Sequence, residues 1–147
     1  MNKVRFNYTE RKLNFSNKTD LKSLVELVFK KEGKSLYLIN FIFCSDNFLL
    51  DINRTHLQHD YYTDIITFPL SDKNHPIEAE VYISLDSVKQ NAIDNKQSFT
   101  SELLRVLTHG ALHLCGYKDK TQSDVKAMRE KEDFYILEFK KFHVKLL

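Results

Sequence analysis

Thr63–Leu85 reads TDIITFPLSDKNHPIEAEVYISL. Two runs rich in β-branched and aromatic residues flank a polar loop, SDKNHP. The second run, Ile77–Leu85, alternates apolar and polar side chains, the period of a half-buried strand. The first, Thr63–Leu70, is closed by Pro69, which cannot donate to a sheet ladder. Together they predict an antiparallel strand pair. What lies before and after is of mixed character, so this pair anchors an α+β reading rather than an all-β one.

Working outward, VRFNY (Val4–Tyr8) alternates as another strand. TDLKSLVELVFKKEG places Leu21, Leu24, Val25 and Val28 on one helical face, with Asn17 or Thr19 as cap and Gly33 as stop. SLYLINFIFCS (Ser35–Ser45) is the strongest strand, expected at the sheet centre. SDNFLLDINRTHL follows as a short helix capped by Ser45 or Asp46. From Asp86 the pattern turns helical, with Val88, Ala92 and Ile93 marking one helix. Thr100–Leu114 makes the next, on Leu103, Leu104, Val106, Leu107 and Ala111, and ends at Gly116. A last helix is expected from about Ser123 to Phe142. The expected fold is α+β, a small mixed β-sheet with several helices and a metal site at the end of a central helix.

The chain has 147 residues, 42% hydrophobic and 29% charged, which suits one domain with a buried core. Three Gly and two Pro argue against long linkers. A net charge of +2 does not announce nucleic-acid binding by itself. Two distant cysteines, Cys44 and Cys115, fit a reduced setting better than a disulfide framework. The longest apolar stretch, LYLINFIFC, is too short to span a bilayer, and the N-terminus lacks a signal-peptide core. The expectation is a cytoplasmic protein with no membrane partner.

The chemistry concentrates in THGALHLCGYKDKT (Thr108–Thr121). His109 and His113 stand one helical turn apart, about 6 Å along the axis, and point the same way. Two imidazoles at that spacing can grip one tetrahedral metal. Gly116 stops the helix, and GYKDK can fold back to bring Asp119 to the same point. Two His and one Asp leave a coordination position open, the arrangement of a catalytic site. The plain alternative is that most HxxxH pairs bind nothing and that Gly110 serves tight helix packing. Gly110 also stands where a metallopeptidase would carry its glutamate base. Glu102 and Arg105 share the His109 side, either as supports of the ligands or as a surface ion pair. Cys115 points away and reads as a small buried hydrophobe.

HGALHLCGYKD resembles the HGxLHLxGYDH signature of the YbeY family of ribosomal RNA maturation factors. Ile52–Asn53, TDIITFP at Thr63–Pro69 and EAEVYIS at Glu78–Ser84 are similar to that family's other blocks, in the same order and spacing. The resemblance implies a single metal-dependent hydrolase domain over 1–147, one zinc ion and endoribonuclease activity. It further implies a role in small-subunit ribosomal RNA maturation and ribosome quality control. The implied partners are single-stranded ribosomal RNA and the ribosome, for a chain acting as a monomer. The implied ligands fall on His109, His113 and Asp119, with Asp119 standing where the family has a third histidine. A carboxylate there makes the site more anionic and lets a harder metal compete with zinc. A second departure is Leu57, where the family carries an arginine linked to catalysis. Arg54, His56 and His59 are the neighbouring replacements, His59 as acid or base and Arg54 or Arg105 as the phosphate-binding cation. Tyr61 and Tyr62 offer base-stacking surfaces. A peptidase-like hydrolase and a non-catalytic ribosome-associated metal-binding factor are the competing readings.

Overall fold

Large apolar side chains at alternate positions decide which strands are buried on both faces. In the computed structural model, which describes residues 2–15, 17–57 and 63–143, the elements run β1 (Val4–Tyr8), α1 (Lys18–Lys31), β2 (Leu36–Cys44), α2 (Asp46–His56), β3 (Ile65–Pro69), β4 (Ile77–Ser84), α3 (Leu85–Asp94), α4 (Phe99–Leu114) and α5 (Gln122–Phe142). The strand order is β1-β2-β4-β3. β1 and β4 both pair parallel with β2, while β3 pairs antiparallel with β4 from Ile65↔Ile83 to Pro69↔Ala79. The α+β architecture with a mixed sheet is the one expected, and so is the antiparallel pair. Pro69 ends β3 at the sheet edge, where a missing N–H costs no ladder bond.

Ile39, Phe41 and Phe43 of β2 and Val81 and Ile83 of β4 are wholly buried on the face that carries α1 and α4. The opposite face of β3 and β4 carries α2 over a smaller cluster of Cys44, Leu49, Ile52 and Ile66. α4 is the central helix. It touches α1, α3 and α5 and lies across β3 and β4. Its Leu103, Leu104, Leu107 and Leu112 are fully buried, each worth about 1.5–3 kcal/mol. That outweighs the roughly 1 kcal/mol cost of a mid-helix glycine. A Cβ built at Gly110 would lie 3.0 Å from Ile65 Cδ1 and 3.5 Å from Val81 Cγ1. Gly110 therefore serves close packing of α4 on the sheet, the plain alternative given for it above.

Hydroxyl side chains start four of the helices. Ser45 accepts from the Phe48 N–H, Ser84 from Ser87, Ser98 from Ser101, and Thr121 forms a capping box with Asp124. Three local expectations are corrected. Asn17 precedes α1, but its side chain makes no capping bond. Ile93 is 63% exposed, because Leu85, Val88 and Ala92 supply the buried face of α3. The Ser98 cap starts α4 at Phe99, one residue before the expected Thr100.

Candidate metal centre

The last turn of α4 and the loop into α5 bring three donors together. His109 and His113 present their rings 4.6 Å apart, centroid to centroid, as neighbours on one helical face. Gly116, at φ +108°, turns the chain in a conformation that L side chains rarely adopt. Asp119 then comes back over the helix end. Its Oδ2 lies 3.2 Å from His113 Nε2 and 3.4 Å from His109 Nε2. One ligand atom from each residue lies within 4.8 Å of the other two. A tetrahedral ion with ligand bonds of 2.0–2.1 Å separates neighbouring donors by roughly 3.3 Å. The two His–Asp spacings match that figure, and the set of two imidazoles and one carboxylate is one that a divalent ion accepts.

The remaining ring nitrogens are fixed from behind. His113 Nδ1–H donates to the Tyr117 carbonyl at 2.9 Å. His109 Nδ1 meets Glu132 Oε2 at 2.7 Å. Each contact holds the proton on Nδ1 and leaves Nε2 as the free donor, the usual way a protein orients a ligating imidazole. Glu132 is itself held, since Arg105 Nη1 donates to its Oε1 at 2.9 Å while Arg105 Nη2 reaches Asp133 at 2.8 Å.

Charge follows the same chain. Burial alone would lower the His109 pKa, but the Glu132 hydrogen bond and the charges of Glu132, Asp119 and Asp64 outweigh it, and the net shift is upward. Burial likewise pushes the Glu132 carboxyl up, yet His109 and Arg105 bring it below its ordinary value. At Asp64 burial wins over the pull of His109, and that carboxyl is raised. Burial pushes the Cys115 thiol up to about 12, but the residue is only partly buried and lines the cleft described below, which corrects its reading as a buried side chain.

Sequence reasoning named His109, His113 and Asp119, and the structure brings these together. Arg54 stands apart, exposed on α2 against the other face of the sheet. His59, Tyr61 and Tyr62 lie outside the described residues. Arg105 and Glu102 do not form an ion pair with each other. Glu102 accepts from Asn95, while Arg105 pairs with Glu132 and Asp133. Glu132 was not foreseen. Its signal is an acid on the apolar stripe of α5, among the buried Met128, Tyr135, Ile136 and Phe139. The Tyr117 carbonyl carries no side-chain signal at all.

The site is open to solvent. Of the three donors His113 borders a cleft of about 760 Å³, with residues 114–116 beside it and Pro69, residues 71–78 and Gly33, Lys34 and Ser35 also lining it.

Residues 4–140 match the family described as Endoribonuclease YbeY. The Endoribonuclease YbeY of Flavobacterium psychrophilum is 45% identical over 142 residues, covering 97% of this chain and 98% of its own. That of Cytophaga hutchinsonii is 48% identical over 116 residues, 79% of this chain and 81% of its own. Among solved structures, the solution structure of a Thermotoga maritima protein superposes with a TM-score of 0.65 at 30% identity, covering 92% of this chain and 89% of that one.

Proposed function

The chain belongs to the Endoribonuclease YbeY family, and from that premise we propose that it cleaves single-stranded RNA by metal-assisted phosphodiester hydrolysis. The observation that carries this reading is the convergence of His109 Nε2, His113 Nε2 and Asp119 Oδ2 on one point beside an open cleft. These three residues would hold one divalent ion, zinc by preference. When bound, the ion supplies Lewis-acid stabilisation of phosphoryl charge and lowers the pKa of a coordinated water.

The protein's own groups do the rest by position. Glu132 and the Tyr117 carbonyl keep both Nδ1 protons in place, so both Nε2 atoms would be free to hold the ion. Gly110 packs on Ile65 and carries no base, which separates this site from the metallopeptidase pattern. Arg54, which lies on α2 away from the three donors, is proposed to bind phosphate of the strand at a distance from the ion, and His59 to transfer protons. An unpaired strand is proposed as the substrate form, because a small site does not reach the interior of a stiff duplex.

The substrate proposed is ribosomal RNA, in maturation of the small subunit and in ribosome quality control. The chain would act in the cytoplasm as a monomer associated with the ribosome. No helix among the described residues is long and apolar enough to cross a membrane. Leu57 is 38% exposed where the resembling motif carries arginine, and it favours a second reading, a ribosome-associated metal-binding factor without cleavage activity.

Metal-loaded protein and His113→Ala, incubated with single-stranded RNA and with a peptide pool, decide between these. Metal-dependent RNA cleavage lost in the variant supports the nuclease. Ribosome association that depends on His113, without cleavage by the wild type, supports the second reading. Cleavage that also survives Arg54→Ala and His59→Ala unchanged removes those two residues.

A further inference from the structure

Tyr117 serves the site with one atom and the scaffold with another. Its carbonyl oxygen accepts from His113 Nδ1–H at 2.9 Å. Its phenol donates to Glu32 Oε1 at 2.9 Å, across 85 residues of chain. Glu32 is the residue that closes α1. Its second oxygen accepts from the Tyr135 hydroxyl and lies 3.5 Å from Lys131 Nζ. Tyr135 is 1% exposed, and the Glu32 side chain is 13% exposed. The carboxylate thus sits at the junction of α1, α5 and the turn that follows α4.

Burial would raise the Glu32 pKa, but the bonds from Tyr135 and Tyr117 and the charge of Lys131 outweigh it and hold the group ionised. Two phenol donors and one ammonium on a single carboxylate leave it little freedom.

We propose that Glu32 is a positioning residue for the metal ligand His113, acting through Tyr117, an inference that rests on the metal-site reading above. Residues 118–120 are exposed. The segment carrying Asp119 is fixed at one end by the Tyr117–Glu32 bond and at the other by the Thr121–Asp124 capping box. Glu32 therefore sets the place of the carbonyl that orients His113 and the start of the short span that delivers Asp119. α5 supports both imidazoles by different routes: Glu132 directly to His109, and Lys131 with Tyr135 through Glu32 to His113.

The test uses Tyr117→Phe, which removes one donor, and Glu32→Gln, which leaves one acceptor oxygen for two phenols. Zinc affinity is measured by competition with a chromophoric chelator. The His113 tautomer is read in the metal-free protein from imidazole ¹⁵N shifts. Leu24→Ala, a destabilising change in the α1 core, is the control. Each variant is expected to bind zinc about tenfold more weakly, and the double variant no more weakly than either single one. Both should lose the fixed Nδ1–H state of His113, while Leu24→Ala keeps affinity and tautomer. Wild-type affinity and tautomer in both variants overturn the inference, as does an equal loss in Leu24→Ala. If the wild type binds no zinc, the metal reading fails, and the tautomer measurement still decides whether Glu32 orients His113.

Discussion

Glu132 Oε2 lies 2.7 Å from His109 Nδ1, joining the middle of α5 to the last turns of α4 across 23 residues of sequence. The carboxylate is 4% exposed and also accepts from Arg105. It is a buried charge with two cationic or proton-donating partners, and both the ligand geometry and the helix pairing depend on it.

Glu132→Gln keeps the shape and removes the charge. Arg105 then faces a neutral amide in a largely buried place, and the loss in stability is expected to be roughly 3 kcal/mol. Metal affinity should fall by about tenfold or more, because His109 loses its orienting acceptor. Denaturant unfolding and chelator competition measure the two effects, and a variant that loses neither would show the contact to be incidental.

Asp119→Ala removes one donor of three and should abolish tight metal binding. Asp119→His restores a nitrogen donor at the same place. Its expected result is retained binding with a higher ratio of zinc to manganese affinity than the wild type, since imidazole suits zinc and carboxylate suits harder ions. Isothermal titration with each metal reads the ratio. An unchanged ratio would mean that Asp119 is not a ligand.

The Glu132–His109 pair also sets a pH window in the metal-free protein. The Glu132 carboxyl is held below its ordinary 4.5, so its contribution is present above that value and lost as pH falls through the lower folded value. His109 is held above its ordinary 6.5, so its contribution is whole below that value and lost as pH rises through the higher folded one. The Tm difference between wild type and Glu132→Gln should be largest between 4.5 and 6.5 and shrink on both sides. Metal binding requires neutral His109, so affinity should rise with pH through the same upper limit. A Tm difference flat from pH 4 to 8 would contradict the pairing.

At Gly110, an added Cβ meets the end of the flexible Ile65 side chain at 3.0 Å. Gly110→Ala gains helix propensity of about 1 kcal/mol but crowds that methyl. Ile65→Val deletes the Cδ1 atom in question. A double-mutant cycle should show favourable coupling of about 1 kcal/mol between the two changes. Additive effects would place the crowding elsewhere.

The legible parts of this protein are those with a local period. The stripe of α4 on Leu103, Leu104, Leu107 and Ala111 is buried as its spacing implies. The β3–β4 pair follows from two strand patterns and a short polar loop. Asp119 was legible because Gly116 stops the helix and a third donor was wanted nearby. The order β1-β2-β4-β3 was not, since alternation says that a face is buried and not which strand lies beside it. Ile93 misled because its apolar side chain sits at a period position yet faces solvent. Glu132 and Glu32 were missed for one reason: their partners stand 23 and 85 residues away, and no periodicity links residues across that distance.

The placement of those two supports has a consequence for synthesis. A chain that has emerged as far as Lys120 already contains His109, His113, Asp119 and Glu32. It lacks Glu132, Lys131 and Tyr135, which α5 supplies. The donors therefore precede the groups that aim them. A nascent chain can meet a metal early, but the final geometry of its donors waits until the last helix docks.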